Sequence, residues 1–355
     1  MSEKTVAQKP IRIWVDGCFD LMHFGHANAL RQAKKMGDYL IVGVHSDAEI
    51  EKNKGPCIMT EEERYIAVES CKWTDEIVKD APYITSLEDL EKYNVDFVVH
   101  GDDITTAADG TDCYQNVKDA GKYKECSRTV GVSTTEIVGR MLLLTKDHFQ
   151  KIDHENPKAS IDSVKISDFS KGSKNQLQTG INHYLSTSNK IIQFSSDAGH
   201  IQFLKKAKDL GDFLLVGIHD DITVNSVKGG SLPVMNLQER VLGVLQCKYV
   251  DEVIIGAPYS VTKDVLEKVY KVDVVAHGSG ELFTDANGKD PYELPKNKGI
   301  CVSVDHDMRD LTTTRILNRV IESRQRYIDR QKRKLEKASL ELQLEKDSLK
   351  KQAET

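Results

Sequence analysis

Short apolar runs rich in β-branched residues recur along the first hundred positions. They alternate with longer stretches in which apolar residues return every three or four places. IRIWV (11–15), YLIVGV (39–44), EIVK (76–79) and VDFVVH (95–100) read as strands, and 26–36, 61–71 and 86–92 as helices. Thr60, followed by Glu61, Glu62 and Glu63, puts a hydroxyl cap and an acidic first turn ahead of RYIAVESC, a good helix start. Strands that are apolar on both faces and alternate with helices predict a parallel sheet covered on both sides. The expected fold class is therefore doubly wound α/β, whose ligands sit beyond the carboxyl ends of the strands.

The pattern then comes a second time. MGDYLIVGVHSD (36–47) returns as LGDFLLVGIHDD (210–221), and IMTEEERYIAVESCKWTDEIVKDAPY (58–83) as VMNLQERVLGVLQCKYVDEVIIGAPY (234–259). NVDFVVHG (94–101) matches KVDVVAHG (271–278), and STTEIVGR (133–140) matches TTTRILNR (312–319). The offset widens slowly along the chain, as small loop insertions would cause. This is a duplicated domain rather than a solenoid, whose period would be roughly 20–50 residues. The expected organisation is a first domain over 9–146, a polar linker over 147–185, a second domain over 186–320 and a charged helical tail over 321–355. In that tail Ile321, Ile328, Leu335, Leu342 and Leu349 recur every seven residues. One apolar heptad position alone reads as a solvated helix rather than a coiled coil.

Composition narrows the function classes. With 355 residues there is room for two cores, and 39% hydrophobic residues is a globular proportion. A net charge of −6 argues against a general nucleic-acid binder. Seven cysteines, an odd number without a CxxC pair, speak against a disulfide framework or zinc knuckle and for reduced thiols. The start MSEKTVAQKP lacks the apolar core of a secretory signal, and no run reaches the roughly 20 apolar residues of a membrane span. The expectation is a cytoplasmic protein, with peripheral association at the endoplasmic reticulum membrane and homo-oligomer formation left open.

The candidate chemistry begins at DGCFDLMHFGHANAL (16–30). A strand runs into a glycine turn, so His23 falls in the loop while Gly25 and His26 fall at the start of the next helix. Free N–H groups and the helix dipole favour an anion there, above all a phosphate. Two imidazoles beside it can donate to phosphoryl oxygens whose charge grows during transfer.

DGCFDLMHFGH resembles the nucleotidylyltransferase signature. Together with KNKGPCIMTEEERYIAVESCKWTDEIV and RTVGVSTTEIVGR (128–140) it resembles the cytidylyltransferase family across nearly the whole first half. The resemblance implies two tandem Rossmann-like domains. It also implies that His23 and His26 bind the phosphates of CTP during in-line transfer. Lys54 would bring a point charge to the phosphates or the acceptor, and Arg128 a phosphate clamp. Ser133, Thr134 and Thr135 would offer hydroxyls and N–H groups at another helix start, and Asp16 and Gly17 would line the nucleotide cleft. Mg²⁺ is expected with the triphosphate, its protein ligands unidentified, and no tightly bound organic cofactor is expected. Cys18 and Cys57 read as packing residues, since no covalent nucleophile is needed.

Family members with two such domains in one chain use phosphoethanolamine as acceptor, whereas those acting on phosphocholine carry one catalytic domain and a lipid-binding helix. A primary ammonium wants oxygen acceptors, which Asp102, Asp103 and the adjacent threonines would supply. Phosphocholine or another phospho-alcohol such as glycerol phosphate as acceptor, and a non-catalytic nucleotide binder, are the alternatives. A dinucleotide oxidoreductase is set aside, because no GxGxxG follows the first strand.

In the second copy the position of His23 is Asp197, and IIQFSSDAGH has no counterpart of the Asp16–Asp20 stretch. Gly199, His200 and Lys228 survive, while VDHDMRD is acidic where Arg128 would stand. The expectation is a second domain that keeps its fold, loses most or all of its catalysis and packs against the first, with residual nucleotide binding as the alternative.

Overall fold

A computed structural model describes residues 9–102, 105–107, 110–129, 131–143, 198–228, 232–279, 284–285, 288–308, 311, 313–323, 325–326 and 329. The expected linker and most of the expected tail lie outside these residues, as do Asp103 and Asp197.

The first half is a parallel sheet of β1 (Arg12–Gly17), β2 (Tyr39–Val44), β3 (Glu76–Lys79), β4 (Phe97–Gly101) and β5 (Tyr123–Cys126), in the order β3-β2-β1-β4-β5. Alternation along the strands feeds two cores. Ile13, Leu40, Val42 and Phe97 face one side, against Ala27, Leu30, Tyr65 and Val68 of α1 (Phe24–Lys34) and α3 (Glu61–Glu69). Trp14, Ile41 and Val98 face the other, against Leu90 of α4 (Leu87–Lys92) and Val117 of α5 (Gln115–Asp119). Burial on both faces explains why the strands read as continuous apolar runs. The strand order reverses beside β1, so the loop after β1 opens at the point where such sheets hold ligands.

Two elements depart from the sequence reading. α2 (Asp47–Asn53) starts at the Ser46 cap, in a stretch too polar to show a helical stripe. β5 is an edge strand of sequence YKEC whose middle residues are exposed, so no apolar run announces it. α6 (Thr134–Leu143) completes this half.

The second half repeats the order with α7 (Ala198–Lys208), β6 (Leu215–Ile218), α8 (Asp221–Lys228), α9 (Leu237–Leu245) and β7 (Glu252–Ile255). A π-helical segment (Asp264–Val269), β8 (Val275–Gly278), α10 (Glu293–Asn297), β9 (Cys301–Val304) and α11 (Thr313–Glu322) follow. β6 pairs with β7 and β8 with β9, both in parallel, as β2 pairs with β3 and β4 with β5.

Contacts between the halves join equivalent positions. Cys71 stands directly opposite its repeat Cys247 in an isolated antiparallel bridge, flanked by Lys72 N–H to Gln246 O (2.9 Å) and Lys248 N–H to Ser70 O (2.8 Å). Arg140 reaches Glu239, and their repeats reciprocate, Arg319 reaching Glu63. Leu21, Met59, Ile137 and Met141 share one apolar cluster with Ala198, Met235, Ile316 and Val320.

Candidate active site

The loop between β1 and α1 is tightly held. Phe19 and Leu21 adopt left-handed φ values of 51° and 48°, which bulky residues avoid unless their surroundings enforce it. Both side chains are buried. The Arg64 guanidinium donates to Cys18 O (2.7 Å), and the buried Asp20 carboxylate accepts from the N–H groups of Ile58 and Met59. Asp20 O accepts from the Thr134 hydroxyl at 3.0 Å, so the loop is tied to the start of α6.

That tension delivers His23 to the N-cap of α1, where the two histidines cap the helix reciprocally. His23 Nδ1 accepts from Gly25 N–H (3.1 Å), and His26 Nδ1 accepts from His23 N–H (3.3 Å). This is a capping box built from imidazoles instead of a hydroxyl and a carboxylate. Because each Nδ1 accepts, the proton of each neutral ring sits on Nε2. The pair is therefore set as two Nε2–H donors, stacked with ring centroids 3.9 Å apart. Burial pushes His23 well below the usual imidazole value, helped by His26, Arg128 and Arg140. Burial lowers His26 to about 4, helped by Lys54 and Arg128. Gly25 has a spatial reason: a Cβ there would stand 2.9 Å from the His23 ring and from Val132 Cγ1.

Lys54 and Arg128, two of the other residues expected to bind phosphate, lie close enough for their charges to act on this pair. Lys54 closes α2 as its C-cap, with Nζ 5.5 Å from the Tyr83 ring centroid, and its charge is among those felt by His26. Arg128 sits in a loop clasped to α1, where Gln32 bonds both backbone groups of Ser127 and Asn28 bonds the Thr129 hydroxyl. Ser133 caps α6, its Oγ accepting from Glu136 N–H at 3.1 Å. Thr134 spends its hydroxyl on Asp20, and Thr135 follows in the first turn of α6. Sequence reasoning missed Asp20, Asn28 and Arg64, whose partners lie 17 to 114 residues away.

Residues 14–140 and again 197–334 match the pattern of the Cytidylyltransferase-like family. An ethanolamine-phosphate cytidylyltransferase of Dictyostelium discoideum is 48% identical, over 93% of this chain and 96% of its own length. One from Mus musculus is 46% identical, over 92% and 90%. The chain belongs to the ethanolamine-phosphate cytidylyltransferase family. By contrast, choline-phosphate cytidylyltransferase A of Mus musculus is 44% identical over only 39% of the chain.

One expected residue of this cytidylyltransferase site is buried among partners of its own. Gly17 ends β1 at the cleft, but the neighbouring Asp16 is 4% exposed and its carboxylate is occupied. It accepts from Trp14 Nε1–H (2.8 Å) and from the hydroxyls of Thr85 and Tyr114. Burial, with Asp16 next to it, holds the Tyr114 phenol well above its usual range. Around this carboxylate stand His45, whose ring lies 5.0 Å from Tyr83, and His100, whose ring lies 4.7 Å from Tyr114. Asp102, expected to receive the acceptor amine, is exposed, and Asp103 lies outside the described residues.

The second copy keeps the scaffold of the site. Arg240 pairs with Asp221 as Arg64 pairs with Asp47, although its backbone partner is His219 O where Arg64 takes Cys18 O, and rings pair as His219–Tyr259 and His277–Tyr292. Its His200 is exposed on α7, and Asp305 and Asp307 stand where the first copy carries Arg128. Among the described residues no three His, Cys, Asp or Glu side chains converge to hold a metal. The groups gathered at the histidine pair are donors and cations, which suit an anion and do not fit a protein-held Mg²⁺. Among them, too, no helix is long and apolar enough to cross a membrane.

Proposed function

We propose that the chain transfers CMP from CTP to phosphoethanolamine, giving CDP-ethanolamine and pyrophosphate, a step in phosphatidylethanolamine synthesis. A phosphate oxygen of the acceptor attacks the α-phosphorus, and the bond from that phosphorus to the bridging oxygen of the β-phosphate breaks. The observation that carries this reading is the reciprocal histidine cap. It presents two neutral Nε2–H donors at a helix N-terminus, beside Lys54 and Arg128. Such donors are aligned before substrate arrives and need no reorganisation as negative charge builds on the phosphoryl oxygens. Positioning and charge neutralisation suffice for phosphoryl transfer, so no covalent nucleophile is required. Mg²⁺ enters on the triphosphate.

The ammonium end of the acceptor is received near Asp16, whose carboxylate takes three hydrogen bonds from its neighbours and keeps acceptor capacity for one more. Seven cysteines without a disulfide support a reducing compartment such as the cytoplasm.

Release of pyrophosphate from CTP, measured with phosphoethanolamine, its monomethyl and dimethyl forms, and phosphocholine, tests the reading. Each methyl group removes one N–H donor, and an unmatched buried acceptor costs about 1–3 kcal/mol. kcat/KM should therefore fall stepwise along the series. A flat series or a preference for phosphocholine defeats the acceptor assignment, and no release with any acceptor defeats the reaction.

A further inference from the structure

Each half braces the other with one arginine, yet only one brace leads to a histidine pair. Arg319 of α11 forks onto Glu63 (Nη1 to Oε2, 2.7 Å; Nη2 to Oε1, 2.9 Å), and its Nη1 also donates to Ile58 O (3.2 Å). Glu63 completes the capping box of α3 by accepting from Thr60 N–H. The segment from Ile58 to Thr60 is thus gripped from two sides. Its N–H groups bond Asp20 in the loop before His23, and its carbonyl and cap bond the second half.

The same segment begins four residues after Lys54. Asp20, at its other side, lies between the left-handed Phe19 and Leu21 and accepts the Thr134 hydroxyl through its carbonyl. His23, Lys54 and Thr134 therefore all lean on one short stretch whose outer support comes from the other copy. We propose that Arg319, supplied by the half that lost its histidine, is a positioning residue for transfer at the first site. It touches no substrate and acts through Ile58, Glu63 and Asp20.

The repeat of this brace provides an internal control. Arg140 forks onto Glu239 (2.9 and 3.1 Å) and also donates to Glu136 on its own helix. The segment next to Glu239 leads back to the copy whose surviving histidine is the exposed His200. Equivalent losses of interface should therefore have unequal catalytic consequences.

The test uses the full chain with Arg319→Ala, Arg319→Lys and Glu239→Gln. It reads kcat and KM for CTP together with the thermal midpoint, well below all melting transitions. Arg319→Ala should lower kcat at least tenfold while KM moves less than threefold, because a small misalignment of reacting groups is costly. Arg319→Lys keeps the charge against Glu63 but lacks the fork that also reaches Ile58 O, so it should recover part of kcat. Glu239→Gln retains its helix cap and leaves Arg140, whose charge also reaches His23, paired with Glu136, so its loss of kcat should be smaller than that of Arg319→Ala.

If Arg319→Ala does not fold, a lower kcat in Arg319→Lys at an unchanged thermal midpoint supports the proposal. Wild-type kcat in the arginine variants, or an equal loss in Glu239→Gln, overturns it. The proposal rests on the transfer reading above. An inactive wild-type chain overturns both, and an active one with an indifferent Arg319 overturns this proposal alone.

Discussion

Asparagine at position 23 separates two jobs that the histidine performs together. His23 Nδ1 caps α1 through Gly25 N–H, while Nε2–H remains for the substrate. Asparagine is among the best N-cap residues, and replacing a good cap with alanine costs about 0.5–2 kcal/mol. His23→Asn should thus melt within about a degree of wild type, because its shorter side chain still reaches the N–H groups of the first turn. His23→Ala should lose roughly 1 kcal/mol, a drop of about 2–4 °C for a domain of this size.

Catalysis should not follow that order. Neither substitute carries an N–H that reaches where Nε2 stands. Both should therefore lose the contribution of one transition-state donor, about 10²–10³ in kcat, or roughly 2.7–4 kcal/mol. The decisive pattern is asparagine with a wild-type melting curve and a hundredfold lower rate of pyrophosphate release. Should His23→Asn turn over within tenfold of wild type, His23 is only a helix cap and the paired-donor reasoning is wrong.

The unusual cap also makes stability depend on pH. His26 titrates near 4 in the folded chain against about 6.5 unfolded, so the unfolded state binds the proton first. Stability should be level above about pH 6.5 and fall toward pH 4, by on the order of 3 kcal/mol for this group. His26→Gln keeps the cap without titrating and should flatten that acid limb in thermal melts, whereas parallel curves would refute the assignment. His200→Ala in the full chain should leave kcat within twofold, and a tenfold loss would mean the second copy takes part in the chemistry. Cys71 and Cys247 form a non-hydrogen-bonded antiparallel pair, where Cα atoms lie about 4.5 Å apart, within reach of a disulfide. Diamide, taking up the two hydrogens, should link them slowly, since burial pushes the Cys71 thiol up to about 11. Peptide mapping that finds no such link after prolonged treatment at high pH would contradict the pairing.

What the sequence revealed followed from periodicity and repetition. β1 to β4 announce themselves because a strand buried on both faces must be apolar throughout, and the duplication is written out in matching words. β5 and α2 stay hidden because an edge strand and a short capped helix can be polar. The placing of the two histidines at a helix start was legible, but their reciprocal capping was not, since imidazole is not an ordinary capping group. Asp16 was the harder case. Its partners Thr85 and Tyr114 lie 69 and 98 residues away, and only the folded sheet turns a cleft carboxylate into a buried node. Arg319 and Glu63, 256 residues apart, were beyond any local pattern.

Equivalent residues meet across the halves, Cys71 against Cys247 and each arginine against the other copy's glutamate. That is the geometry of an isologous homodimer, folded into a single polypeptide. A homodimer comes apart on dilution and suffers every mutation twice, once in each subunit. Tethered copies escape both constraints: the tether keeps their mutual concentration high whatever the amount of protein, and a change falls on one copy at a time. One half was thereby free to give up a histidine without depriving the other of its partner.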